Sequence, residues 1–99
     1  MKPDLLLELL ESTAAAIAVK VSYESLQASV GFGAGHGGLC RVKGAYRVII
    51  DRRATASERV TTLAGALAQV IDVEALAAQP APVREALRLH GAAPSRRAS

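Results

Sequence analysis

An α+β domain, with helices packed on one face of a small antiparallel sheet, is the fold class this sequence predicts, and three observations predict it. Apolar residues recur at helical spacing near the start of the chain and again over its second half. Between these stretches they alternate at period two, the spacing of half-buried strands. The resulting order of helix, two to four strands, helix and helix keeps the two kinds of element apart, which argues for α+β.

The first helix is expected over residues 3–15. Pro3 suits a first helical turn, and Asp4 stands where the helix dipole favours an anion. Leu6, Leu9, Leu10 and Thr13 share one face, and Leu5 and Leu7 widen the apolar stripe beyond that of an ordinary amphipathic helix. Either the helix is covered on two sides within the monomer, or one side is an interface. From Ile17 the period changes: Ile17, Val19, Val21 and Tyr23 alternate with Ala18, Lys20, Ser22 and Glu24. A weaker strand is expected over 26–30. Residues 31–38 then carry five glycines, and residues 31–37 are expected to be the most mobile internal segment. Leu39 to Lys43 reads as a strand, Gly44-Ala45 as a turn and Tyr46 to Asp51 as a second strand, together an antiparallel hairpin.

Thr55-Ala56-Ser57-Glu58 has the pattern of a capping box. Behind it Val60, Leu63, Ala64, Leu67, Val70 and Ile71 repeat at helical spacing, predicting a helix over 56–71. A short turn or helix over 73–78 is broken by Pro80 and Pro82. A last helix over 82–90 turns Val83, Ala86, Leu87 and His90 inward and stops at Gly91. Residues 1–91 therefore form one domain, and 92–99 read as a flexible tail.

Composition bounds the function. The chain has 99 residues and is 51% apolar, but 20 of those apolar residues are alanine. What remains supports one modest core and not a deep substrate cavity. No run of about 18 apolar residues is free of charge, so no membrane span is expected. Cys40 is the only cysteine, which excludes an internal disulfide. The N-terminus has neither a basic n-region nor a small-residue cleavage site, and the protein is expected in the cytoplasm. Net charge is +3, distributed unevenly. Arg41, Lys43, Arg47, Arg52, Arg53 and Arg59 fall within nineteen residues, opposed by Asp51 and Glu58. Of these, Arg41, Lys43, Arg47, Arg52 and Arg53 are the candidate residues for a ligand or partner, nucleic acid included.

Gly33, Gly35 and Gly38 make a formal G-x-G-x-x-G. A dinucleotide site needs a helix after that pattern, whereas Leu39 to Val42 reads as a strand, so no cofactor is expected. Cys40 with His36 or His90 is the one catalytic constellation the sequence offers. One cysteine and two histidines fall short of the four ligands of a structural zinc site, and no metal is expected. Ala64, Gly65, Ala66 and Ala68 leave the 56–71 helix almost bare along one stretch, which lets another element approach closely: the sheet, the first helix, or the same helix of a second subunit.

Two resemblances follow from these motifs. The run Gly37-Gly38-Leu39-Cys40-Arg41-Val42-Lys43-Gly44, followed by a strand and a capped helix, resembles a set of small uncharacterised bacterial proteins sharing a G-G-L-C-[RK]-x-[RK]-G segment. The resemblance spans about residues 17–90 and implies a shared fold and a cytoplasmic protein, with no activity attached. Thr62-Leu63-Ala64-Gly65-Ala66-Leu67-Ala68-Gln69, after the strand over 46–51, is similar to the core helix of zincin metallopeptidases, T-L-A-H-E-L-x-H. Gly65, Ala66 and Gln69 stand where that family has its two zinc-binding histidines and its general-base glutamate, and none can do that chemistry.

The sequence thus leads to a non-enzymatic binding or interaction module that self-associates as a homodimer through its leucine-rich first helix. An enzyme using Cys40, and a nucleic-acid accessory protein using the basic segment over 41–59, are the alternatives.

Overall fold

The structure, a computed structural model, describes residues 1–25 and 37–91. The expected strand over 26–30, most of the glycine segment including His36, and the tail over 92–99 lie outside the described residues.

Helix α1 spans Pro3–Ala16 and buries Leu7, Leu10, Thr13 and Ala14. Its C-terminus closes as a Schellman motif. The Val19 N–H donates to the Ala14 carbonyl at 2.8 Å and the Ala18 N–H to the Ala15 carbonyl at 3.2 Å. Buried Val19 covers Ala14, the usual hydrophobic seal of this motif. The position that ordinarily carries glycine is held by Ala18 at φ 62°. Replacing Ala18 by glycine should raise stability by about 0.5–1 kcal/mol, because the left-handed penalty it relieves exceeds the unfolded-state entropy that glycine adds. Urea denaturation checks this, and a midpoint at or below the native one contradicts it.

Strand β1 spans Lys20–Glu24, β2 Gly37–Val42 and β3 Ala45–Asp51. Lys43 (φ 54°) and Gly44 (φ 84°) are both left-handed, so the tight turn falls one residue earlier than Gly44-Ala45 and has the primed hairpin geometry. The sheet order is β1-β3-β2, with β2 antiparallel and β1 parallel to β3. The antiparallel expectation therefore holds for the hairpin and fails for β1, making the sheet mixed. Alternation shows which face a strand buries, and is silent about which neighbour it pairs with and in which direction.

Helix α2, Ala56–Val70, carries the full capping box. The Glu58 N–H donates to Thr55 Oγ1 at 3.1 Å and the Thr55 N–H donates to Glu58 Oε1 at 2.9 Å. Helix α3, Val73–Ala77, is capped by Asp72, whose Oδ1 accepts from the Ala75 N–H at 2.8 Å. Helix α4 spans Ala81–Gly91. Leu10, Leu63, Leu67, Val48, Ile50 and Val83 are fully buried where α1 and α2 meet the inner sheet face and α4 meets α2.

Gly65 and Ala68 of α2 admit α4, an element the sequence did not single out for that approach. A Cβ built on Gly91 would stand 2.3 Å from the Ala68 Cβ, and one on Gly65 3.7 Å from the His90 carbonyl. The α1 leucines are also largely used within the chain. Leu7 and Leu10 are buried, Leu6 and Leu9 pack against the core, and Leu5 alone of the five is exposed. The leucine stripe of α1 is thus covered for the most part within the chain, Leu5 excepted. Among the described residues no helix is long and apolar enough to cross a membrane.

Candidate functional site

All four helices lie on one side of the sheet, and the register identifies what lies on the other. Val21, Tyr23, Leu39, Val48 and Ile50 are aligned neighbours on the helix side. Lys20, Ser22 and Glu24 of β1, Cys40 of β2, and Arg47, Ile49 and Asp51 of β3 alternate with them and therefore line the outer face. Among the described residues no helix packs on that face.

The basic segment does not form one patch. β3 separates it into two groups, since five residues at about 3.3 Å each put Arg47 about 17 Å from Arg52. That exceeds the screening length of about 8 Å at physiological salt, so the groups act independently. The far group is only partly engaged. The Arg52 guanidinium donates to the Tyr23 carbonyl at 3.4 Å, while Arg53 bonds to Asp51 Oδ1 through its backbone N–H at 3.0 Å. The Arg59 guanidinium donates to the Ala54 and Arg52 carbonyls and lies 4.7 Å from the centre of the Tyr23 ring. Tyr23 in turn donates its hydroxyl to the Glu11 carboxylate. Burial, with that bond and the charge of Glu11, pushes the Tyr23 phenol above its ordinary value, and Arg59 opposes the shift.

The near group sits at the hairpin end of the sheet. Arg41 is the register partner of Tyr46, and its guanidinium lies 5.4 Å from the ring centre. Lys43 occupies the turn and is exposed. Arg47 is flanked in register by Lys20 on one side and by Cys40 on the other. A shallow depression of about 240 Å³ opens here, lined by Ala18, Lys20, Val42, Ala45, Tyr46 and Arg47. Among the described residues no acidic side chain is ion-paired with Arg41, Lys43, Arg47 or Lys20. The two non-glycine residues held left-handed in the described structure, Ala18 and Lys43, both belong to this end. Lys20 is the member that sequence reasoning missed. Only the parallel pairing of β1 with β3, which no local pattern encodes, places it beside Arg47.

The catalytic candidates are not assembled. Cys40 is half-buried on the outer face, while His90 lies near the end of α4 against α1 and α2, in a depression it shares with Pro3, Leu6 and Val60. The sheet separates them, and His36 lies outside the described residues. Gly38 of the formal glycine motif is in β2, so a strand and not a helix follows it. In α2, Gly65 lies under α4 and Ala66 is buried, so two of the three zincin ligand positions are taken up by packing, while Gln69 is exposed. Among the described residues no three His, Cys, Asp or Glu side chains converge as a metal site would require. Comparison with protein-family models, with curated proteins and with solved structures finds no match to this chain.

Proposed function

We propose that this chain is a non-enzymatic binding module whose hairpin end engages a phosphate-bearing polyanion, of the kind a nucleic-acid backbone presents. The observation that carries this reading is the grouping of Arg41, Lys43 and Arg47 at one end of the open sheet with no acidic partner among the described residues. Arg41 and Arg47 alternate to opposite faces of the hairpin with Lys43 in the turn between them, so an extended polyanion that wraps this end meets all three. Two guanidiniums supply the planar forks that match phosphate oxygens, and Lys43 adds a point charge. Tyr46, exposed beside Arg41, offers a flat apolar surface.

Fluorescence anisotropy with a labelled single-stranded oligonucleotide tests the proposal. Binding should be saturable at low salt, and log Kobs should fall with log salt at a slope of about −2, as three neutralised phosphates give on a single strand. Arg47→Glu and Lys43→Glu should each weaken it by about tenfold or more, since each turns an attractive contact into a repulsive one. Arg53→Glu, at the far end, should leave it within about twofold, because that distance is screened. No saturable binding, or equal loss from all three variants, contradicts the reading.

A further inference from the structure

Parallel register sets Lys20 beside Arg47 and Glu24 beside Asp51, all four on the outer face. Each pair sets like charges on neighbouring strands, and among the described residues no ion pair relieves either one. On the outer face β1 therefore carries a cation at one end and an anion at the other, with Arg52 and Arg53 following beyond Asp51. β1 is also an edge strand: its one neighbour among the described residues is β3. An open edge presents backbone donors and acceptors ready to accept another strand, and the one side-chain bond to it, from the Arg52 guanidinium to the Tyr23 carbonyl, is long at 3.4 Å and replaceable by a strand N–H.

We infer that the edge of β1 pairs antiparallel with β1 of a second copy of this chain, about a two-fold axis through Ser22. The strand reads Lys20-Val21-Ser22-Tyr23-Glu24. Reversed against itself it sets Lys20 opposite Glu24 of the partner subunit, Val21 opposite Tyr23 of the partner subunit, and Ser22 opposite its equivalent. The two opposite-charge pairs fall on the outer face, and the apolar pairs fall on the helix side. Each Lys20 and each Glu24 thereby gains across the axis the ion-pair partner it lacks among the described residues of its own chain. An isologous contact of this kind closes on itself, and the two three-stranded sheets become one of six. It stands on the strand edge and takes Lys20 out of the basic group at the hairpin end. With Lys20 paired to the partner's Glu24, the hairpin residues Arg41, Lys43 and Arg47 remain for an anion.

Sedimentation equilibrium over the micromolar range tests the inference on the native chain and its charge variants. The native chain should show a dimer mass. Lys20→Glu or Glu24→Lys alone turns both symmetry-related pairs repulsive and should raise the dissociation constant by about tenfold or more. The double swap, Lys20→Glu with Glu24→Lys, restores opposite charges across the axis and should restore the dimer. Lys43→Glu, which tests the anion site, should leave the mass unchanged. Lys20 and Glu24 are both exposed, and within one chain each single reversal sets a new charge beside its opposite: Lys20→Glu beside Arg47, and Glu24→Lys beside Asp51. The single variants should therefore melt, by circular dichroism, no lower than the native chain diluted to where sedimentation shows it monomeric. A native mass of one chain at all concentrations overturns the inference. Dimers that survive the single reversals, or that the double swap fails to restore, do so as well.

Discussion

Gly37→Ala should remove about 3 kcal/mol or more of stability, whereas Gly38→Ala, its neighbour, should change it by less than about 0.5 kcal/mol. Gly37 opens β2 at φ 133°, a conformation L side chains rarely adopt, opposite Ile50 of β3. A Cβ there would stand 1.8 Å from the Ile49 carbonyl oxygen and 2.8 Å from its carbon. Those atoms belong to the central strand of the sheet and cannot give way without disturbing β1 as well. Gly38 has open space around its Cα and an ordinary backbone. Two adjacent glycines of one segment should thus behave oppositely in denaturant titrations. Equal midpoints for the two variants would show that β2 does not sit in the register described.

Leu63→Ala should cost about 3–5 kcal/mol, a large part of the ~5–15 kcal/mol that holds a domain of this size. Leu63 is fully buried in the middle of α2, the helix that touches β2, β3, α1 and α4. Its neighbours belong to separate elements, so collapse around the void would have to move several at once, and the cavity term adds to the lost transfer energy. Leu89→Ala is the control. That side chain is exposed on α4, and its loss should stay within about 0.5 kcal/mol. A Leu63→Ala variant as stable as the Leu89→Ala variant would mean that α2 is not the centre of the core.

Much of this fold is legible in local patterns. The Thr55–Glu58 box, the apolar stripe of α2 and the alternation through Val48 and Ile50 each report a structure set by neighbours in sequence. What local patterns omit is long-range pairing. Nothing around Lys20 tells that β1 runs parallel to β3, or that Arg47 will be its register partner. Nothing in the alanines of α2 says that α4 is the element that approaches them. The wide leucine stripe of α1 suggested an interface because a helix read alone has one buried side; in the folded chain α2, α4 and β1 cover it between them. Proximity along the chain also misled for charge. Arg41 to Arg59 look like one basic segment until β3 extends between them and Arg59 turns back onto the β3–α2 connection and the Tyr23 ring.

The most direct test of the hairpin end as working surface is backbone amide NMR during titration with the unlabelled oligonucleotide. Shifts should appear first and largest at Arg41, Lys43, Tyr46 and Arg47, with the amides of α4 and of Arg52 and Arg53 unmoved. Shifts centred instead on Arg52 and Arg53, or spread over the α2–α4 surface, would place recognition elsewhere and contradict the assignment of this end of the sheet.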